Sequence, residues 1–174
     1  GVLEAANAVK ERLQKFCRVK LDDSDNSPGW KFAEYEMKGV PLRLELGPKD
    51  IANNQCVLVR RDNRQKYFVS LDDLETEIPR ILDELNTALY NAALERRTAM
   101  TYTVNTLDEL IETAANKPGF IRAMWCGDEA CELKLKEVAD VSSRCMPFGE
   151  EPFGDVCVCC GKPAKKLVYW GKAY

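Results

Sequence analysis

The sequence predicts an α/β protein in two parts: a mixed-sheet domain over residues 1–98 and a small α+β domain over residues 99–174. Three observations predict this class. Helical and period-two apolar patterns alternate in the first part, an apolar helical stripe ends near Thr98, and four cysteines in two close pairs lie in the second part. With 174 residues, 45% of them apolar and 30% charged, the chain is long enough for two small cores.

The elements of the first part follow from apolar spacing and turn chemistry. Gly39 is expected to end the second helix, because glycine readily adopts the left-handed conformation found after helix ends. Asp62-Asn63 is expected to form the turn of a hairpin. The expected elements are a helix at 2–16, a strand at 19–21, a loop at 22–29, a helix at 30–38, a strand at 42–46 and hairpin strands at 56–60 and 66–71.

A long helix is expected next. Ser70 with Asp73 resembles a capping box and opens a helical stretch that Pro79 is expected to interrupt or restart. An apolar stripe then predicts a helix that continues to about Thr98 and bridges the two domains. The expected buried stripe consists of Leu82, Leu85, Leu89 and Ala93.

The second part opens with clearer local signals. Thr106 and Glu109 form a capping box for a helix that ends near Asn116. Residues 120–125 predict a strand that leads directly into Cys126, and residues 166–174 are apolar and strand-like.

The two cysteine pairs predict a metal centre. Cys126 and Cys131 form a C-x4-C pair, Cys157 and Cys160 form a C-x2-C pair, and the chain contains no histidine. A structural zinc ion takes four tetrahedral ligands, commonly from two such local pairs. Gly161 follows the last cysteine, where a tight turn around the metal favours glycine. We therefore expect structural zinc on Cys126, Cys131, Cys157 and Cys160.

Other fates of these thiols stay open at this point. Disulfides, an iron–sulfur cluster or reduced thiols without a metal would each use the same residues. Cys159 and Cys145 are spare thiols that could replace a proposed ligand. Cys17 and Cys56 lie in apolar segments and are expected to be buried small hydrophobic residues.

Charge and composition argue against several functions. The net charge of −3 provides no basic field for nucleic acid, so any such contact has to be local. An autonomous hydrolase is disfavoured, because there is no histidine base, no open three-ligand metal site and no phosphate-cradling glycine loop. No apolar run is long enough for a membrane span.

The chain also resembles a known family in two places. Residues 28–50, which contain Gly39-Val-Pro-Leu-Arg43, resemble the anticodon-binding domain of prolyl-tRNA synthetase. Four later segments resemble the zinc-binding C-terminal extension of the archaeal/eukaryote-like form of that family, and they are Trp125–Asp128, Ser143–Phe148, Cys157–Gly161 and Trp170–Tyr174. Related class II synthetases share the Gly-Val-Pro-Leu-Arg segment, so the extension is what indicates proline.

The resemblance implies a part of a ligase. The parent enzyme would join proline to tRNA(Pro) with ATP, and the chain would be a C-terminal fragment that is inactive alone. ATP and Mg2+ would belong to a separate catalytic domain, and the anticodon-binding domain would lack its first strand. The implied partners are the tRNA(Pro) anticodon loop, the catalytic domain and a second subunit of a homodimer, with no membrane and in the cytoplasm.

The resemblance also implies roles for individual residues. Proline codons begin with CC, so their anticodons end in two guanines, and single-stranded bases are read on their Watson–Crick edges. Phe32 would stack on a base, Glu36 would accept paired guanine N–H groups, and Arg43 and Lys49 would supply cationic contacts. Asp50 is a further candidate for base contact. Tyr174 would be directed toward the catalytic domain.

Plainer interpretations of the same residues remain possible. Phe32 could belong to the core, and Glu36, Arg43 and Lys49 could be solvated surface residues. Tyr174 could complete the packing of the second domain. The alternative function for the whole chain is an independent zinc-ribbon module that binds RNA or protein.

Overall fold

A computed structural model of the chain describes residues 1–164 and 166–173. They fall into two units, residues 1–92 and residues 93 onward. The helices are α1 (Val2–Leu13), α2 (Pro28–Met37), α3 (Pro48–Ala52), α4 (Leu74–Ala99), α5 (Leu107–Asn116) and α6 (Glu129–Ala139). The strands are β1 (Leu42–Glu45), β2 (Gln55–Arg60), β3 (Lys66–Ser70), β4 (Thr101–Thr103), β5 (Phe120–Trp125), β6 (Val141–Cys145) and β7 (Lys166–Lys172).

The first unit is built on an antiparallel sheet in the order β1-β2-β3. Leu58 pairs in register with Leu44 on one side and Tyr67 on the other, so these residues share one face of the sheet. Helices α1 and α4 cover that face. The buried cluster between them contains Val9, Leu13, Cys56, Leu58, Val69, Leu74, Ile78 and Ile81.

Several expectations for this unit are confirmed. The hairpin forms as β2 and β3, and Ser27 begins α2 by accepting the Trp30 N–H with its hydroxyl oxygen at 3.4 Å. Gly39 follows the helix with a φ of 79°. Helix α3 was not expected; its signals are Gly47 before Pro48, which fits the first helical turn, and Asp50, which accepts the Gly47 N–H at 2.9 Å.

Residues 19–21 do not form the expected strand. Val19 instead packs beside the buried cluster, with no ladder partner among the described residues. A short β-branched segment needs a neighbouring strand to become part of a sheet, and the sequence pattern does not supply one. Helix α1 is also shorter than expected and ends at Leu13.

Pro79 does not interrupt the long helix. Helix α4 runs from Leu74 to Ala99 with Pro79 inside its second turn. Proline removes one backbone donor, which leaves the Glu75 carbonyl without its helical partner, but both residues are exposed and water can satisfy that carbonyl. The expected buried stripe is only partly right, because Leu85 is buried whereas Leu89 and Ala93 are exposed.

The second unit contains a mixed sheet in the order β4-β5-β7-β6. Strand β4 is parallel to β5, and the other pairs are antiparallel. Helices α5 and α6 pack on one face, where Trp170 is fully buried with Ile121, Ala123 and Val168. The α/β class is confirmed, but the mixed sheet expected in the first part is antiparallel, because its three strands are consecutive neighbours joined by short connections; the mixed sheet lies in the second unit.

Gly119 allows β5 to enter the sheet beside β4. Its φ of 127° lies in a region that favours glycine, and a Cβ built there would lie 2.0 Å from the Met100 carbonyl oxygen. The next residue, Phe120, donates its N–H to that same oxygen at 2.8 Å. The parallel pairing of β4 with β5 therefore requires this position to have no side chain.

Within the part of the chain that the structure describes, no helix combines the length and hydropathy that crossing a membrane requires.

Candidate functional sites

The four predicted cysteine ligands lie together in the second unit. The Sγ atoms of Cys126, Cys131, Cys157 and Cys160 all lie within 4.8 Å of one another. The Cys126 Sγ lies 3.7 Å from that of Cys131 and 3.9 Å from that of Cys160. A tetrahedron of sulfurs at the usual zinc–sulfur distance of about 2.3 Å has edges of about 3.8 Å. The donor set therefore fits a tetrahedral zinc ion.

The first cysteine pair is positioned by a strand and a helix. Cys126 directly follows β5, and Gly127 turns the chain with a φ of 93°. Asp128 then caps α6 by accepting the Ala130 N–H at 3.0 Å, which brings Cys131 into the first turn of that helix. The fixed ends of β5 and α6 thus direct two sulfurs toward one point.

The second cysteine pair lies in a tight knuckle. Cys157 donates its N–H to the Lys162 carbonyl at 2.8 Å and accepts the Gly161 N–H at 2.9 Å, while Gly161 has a φ of 69°. The Val158 N–H donates to the Met124 carbonyl at 2.9 Å and so attaches the knuckle to β5. These backbone bonds bring Cys157 and Cys160 to the first pair.

Burial and backbone donors act in opposite directions on these thiols. Burial alone would raise the pKa of Cys157, but backbone N–H groups of Cys160, Cys159 and Cys126 donate to its sulfur and lower that pKa to about 7. Burial raises the pKa of Cys131 and of Cys126. The donors around Cys157 stabilise a thiolate, which is the form that binds metals.

The spare cysteines lie outside this cluster. Cys159 is half-buried and Cys145 is exposed at the end of β6, and neither belongs to the group that could hold a metal. Cys56 is buried as expected, and Cys17 is half-buried against the first core. No disulfide joins any of the eight cysteines, all of which lie in the described residues.

A second cluster lies in the first unit, where α2 packs on β1. Phe32 and Glu36 are four residues apart and share one face of α2. The Arg43 guanidinium from β1 lies 3.7 Å from the Phe32 ring centroid, and its Nη1 donates to Glu36 Oε1 at 3.1 Å. Arg43 also donates from Nε to Glu45 at 2.8 Å. Three of the predicted RNA-contacting residues therefore touch one another.

Glu36 is held from a second side as well. Arg64, in the turn between β2 and β3, places its Nη2 3.4 Å from Glu36 Oε2. Its backbone φ of 59° is unusual for a residue other than glycine. Each carboxylate oxygen of Glu36 thus faces one arginine, and since a carboxylate has about four acceptor positions, about two remain for another donor pair.

Lys49 and Asp50 do not join this cluster. Lys49 is exposed on α3, and Asp50 caps the same helix through the Gly47 N–H. The contact made by Asp50 is structural. Tyr174, the other residue singled out in the sequence, lies outside the described residues.

Arg64 was missed by the sequence analysis. The only available signal was its position next to the expected Asp62-Asn63 turn, which placed a cation at a hairpin tip. Its partner Glu36 lies 28 residues away in sequence, so no local pattern connects the two.

Two family profiles match the two halves of the chain. Residues 1–81 match the family described as anticodon binding domain, and residues 107–174 match the family described as prolyl-tRNA synthetase, C-terminal. These matches define the anticodon-binding and C-terminal domains of an aminoacyl-tRNA synthetase.

Similar proteins make the assignment more specific. The chain is 64% identical over its whole length to a proline–tRNA ligase of Clostridium novyi and 59% identical to one of Clostridium botulinum, and it spans 36% of each. It is similar, with a TM-score of 0.86 and 36% identity, to the crystal structure of prolyl-tRNA synthetase from Cryptosporidium parvum complexed with L-proline and AMP. That match covers 98% of this chain and 37% of the other. The chain belongs to the prolyl-tRNA synthetase family and corresponds to its anticodon-binding and C-terminal domains.

Proposed function

We propose that this chain selects tRNA(Pro) by its anticodon through the cluster around Glu36. The observation that carries the proposal is the carboxylate of Glu36, which Arg43 and Arg64 orient from two sides at 3.1 and 3.4 Å. It is half-buried on α2, so a base can reach it. The match of residues 1–81 to an anticodon-binding domain supports this role.

Guanine has the edge that this carboxylate suits. Its Watson–Crick edge offers two adjacent N–H donors, and the two acceptor positions left on Glu36 can take both. The Arg43 guanidinium lies over one face of the Phe32 ring, so a base would stack on an outer plane of this pair. Bases stack on both kinds of plane. Lys49, exposed on α3, would contact a phosphate and contribute little to base choice.

The cysteine centre has a structural role in this proposal. Zinc on Cys126, Cys131, Cys157 and Cys160 would fill its tetrahedron with thiolates, which leaves no position for a reactive water. The ion would join the end of β5, the start of α6 and the knuckle. It would supply fold stability and no chemistry.

The whole synthetase would carry the reaction. A separate catalytic domain would activate proline with ATP and Mg2+ and transfer it to tRNA(Pro), and the bound L-proline and AMP of the Cryptosporidium parvum protein are consistent with such a step. Contact with that domain, a homodimeric parent, a cytoplasmic location and a coupling role for Tyr174 belong to the same proposal.

The test measures binding of the chain to an RNA hairpin with a UGG anticodon loop. Replacing each guanine in turn with inosine removes one of its two N–H donors, so wild-type binding should weaken at the guanine that Glu36 reads. Glu36→Ala should cost about 1 to 3 kcal/mol of binding and abolish the difference between guanine and inosine. Lys49→Ala should weaken binding and leave that difference intact.

Glu34→Ala is the matched control. Glu34 lies on the same helix and pairs with Lys38, so its loss removes a carboxylate of α2 without touching the cluster. Anticodon reading by Glu36 is refuted if the Glu36→Ala chain still distinguishes guanine from inosine as the wild type does.

A further inference from the structure

The first sheet has a second face, opposite its core, which α2 covers in part. Arg43, Val59 and Lys66 lie opposite one another on β1, β2 and β3 and form one row across the sheet. Glu45, Val57 and Phe68 form the next row on the same face. Because side chains alternate along a strand, these residues point away from the core. We call this the open sheet face, and its members are Arg43, Glu45, Val57, Val59, Lys66 and Phe68.

Helix α2 covers one row of the open sheet face. Phe32, Tyr35 and Glu36 of α2 line a shallow recess together with Arg43 and Val59. Val59 is buried there, whereas Val57 in the next row is half-buried and Phe68 is 71% exposed. The row that contains Phe68 is therefore open to solvent directly beside the Glu36 cluster.

Phe68 is an isolated aromatic ring among polar groups. Lys66 and Ser70 flank it on the same side of β3, and Glu45 lies across the sheet. A surface that docks another protein usually presents a continuous apolar patch, and Val57 is the only apolar member of this row beside Phe68. An exposed ring next to a lysine is instead the arrangement that holds a base and its phosphate.

The distance to the Glu36 cluster suits neighbouring nucleotides. Phe68 on β3 is two strand spacings, or about 10 Å, from the Arg43 strand β1. The acidic group between them is neutralised, since Glu45 accepts from Arg43 at 2.8 Å. A single strand of RNA bound at Glu36 can thus continue over Phe68 without meeting an unpaired negative charge on this row.

We propose that Phe68 is a second stacking platform, which binds a base of single-stranded RNA next to the guanine read at Glu36, with Lys66 on the adjoining phosphate. The inference rests on the proposed anticodon recognition and extends it from base reading to the path of the loop. Stacking on Phe68 is tolerant of base identity, because every base has a π face. It therefore contributes affinity and not selectivity.

The test uses the same UGG hairpin and the full chain. Phe68→Ala and Phe68→Leu should each weaken binding about 5- to 100-fold, because leucine keeps an apolar side chain but lacks the stacking face. Phe68→Tyr should retain binding. The ratio of guanine to inosine affinity should stay at its wild-type value in all three variants. Tyr90→Ala is the matched control, since Tyr90 is a 65% exposed aromatic residue on α4, which packs on the other face of the sheet.

A tryptophan at the same site gives a direct signal. In Phe68→Trp, fluorescence quenching on RNA addition should exceed that of the wild type, which already contains three tryptophans. If Phe68→Ala binds the hairpin with unchanged affinity and still distinguishes guanine from inosine, base stacking on Phe68 is refuted and guanine recognition by Glu36 stands. A hairpin that the wild type does not bind would overturn both proposals. Self-association of the wild type that Phe68→Ala abolishes, with RNA binding unchanged, would assign the ring to a protein interface instead.

Discussion

The two sites of this chain are held in opposite ways. Hydrogen bonds at the end of one strand, at a helix cap and in a knuckle position the sulfurs of the cysteine centre, and Cys131 and Cys157 are buried. Around Glu36, long charged side chains position one another at a half-exposed surface. The first arrangement is set by the backbone, whereas the second depends on side chains that can exchange partners. That freedom suits the RNA contact proposed for Glu36, and the fixed backbone suits the structural role proposed for the cysteines.

The largest effect is expected from removing the zinc ion proposed for the cysteine centre. Structural zinc contributes about 10 to 16 kcal/mol to the folding of small zinc domains. We expect a strong chelator to unfold residues 101–173 while residues 1–92 stay folded, because the core of the first unit contains none of the four ligands. Residue-resolved hydrogen exchange or NMR spectra before and after chelation measure this. Simultaneous loss of both units would contradict it.

Two cysteines of the knuckle, Cys157 and Cys159, provide the control for that experiment. Cys157→Ser removes a ligand and should lower the zinc content below one ion per chain, whereas Cys159→Ser should retain the ion because Cys159 lies outside the cluster. Elemental analysis of reduced protein distinguishes the two. Loss of zinc in Cys159→Ser but not in Cys157→Ser would show that Cys159, and not Cys157, is the ligand.

An effect of intermediate size is expected at a buried ion pair in the first unit. Arg60 donates to Asp62 from Nη2 at 2.7 Å and Nε at 3.0 Å, and the two side chains are only 7% and 10% exposed. Asp62→Ala would leave the buried Arg60 guanidinium with the more distant Glu84 carboxylate, 3.7 Å away, as its counter-charge, so it should cost up to about 3 kcal/mol of unfolding free energy in this unit. Urea unfolding of the variant and the wild type measures the difference.

The same pair gives the first unit an acid sensitivity. Hydrogen bonds from Arg60 hold the pKa of Asp62 below its usual range, so its stabilisation is complete above the ordinary value of about 4 and is lost as pH falls through the lower folded value. Below about pH 4 the wild type should therefore approach the stability of Asp62→Ala. A constant gap between the two proteins down to low pH would show that the charge pair is not the cause.

The smallest effect is expected at the exposed pair of Arg12 and Glu75. Arg12 Nη2 lies 2.7 Å from Glu75 Oε2, but the two side chains are 38% and 45% exposed. Solvent and salt screen such a pair, so Arg12→Ala should shift the thermal midpoint of the first unit barely beyond experimental error, and not at all in high salt. A loss comparable to that of Asp62→Ala would mean that exposed charges on this unit act as a rigid network.

The features predicted correctly from the sequence depend on residues that lie within a few positions of one another. Thr106 and Glu109 exchange backbone and side-chain hydrogen bonds at 3.2 and 3.3 Å, as their three-residue spacing implies. The short spacings of the cysteine pairs were likewise enough to select four ligand candidates that lie together. Helix α6 also had local signals that were overlooked. Asp128 is a favourable N-cap residue, and the buried residues Cys131, Leu135 and Ala139 follow one another at four-residue intervals.

Partners that are distant in sequence account for the rest. Strand β4 pairs with β5 after a helix has intervened, and its three residues, although Thr and Tyr favour strands, are too few to show a period-two pattern. Glu36 meets Arg64 only because α2 packs on the sheet beside the β2–β3 turn. The roles proposed for Phe32, Glu36 and Arg43 rest on the resemblance to the synthetase family. Charged surface residues show no periodicity that would distinguish those that contact bases from those that are merely solvated.

The position of β7 in its sheet has a consequence for protein synthesis. It is the last strand along the described chain, yet it lies between β5 and β6. On the ribosome, the first unit can therefore fold early, while β5 and β6 emerge with open edges that wait for their common neighbour. Premature termination before Lys166 would leave both edges unpaired and Cys126 to Cys160 without their supporting sheet. Chains truncated before β7 should therefore aggregate more readily than chains that contain it.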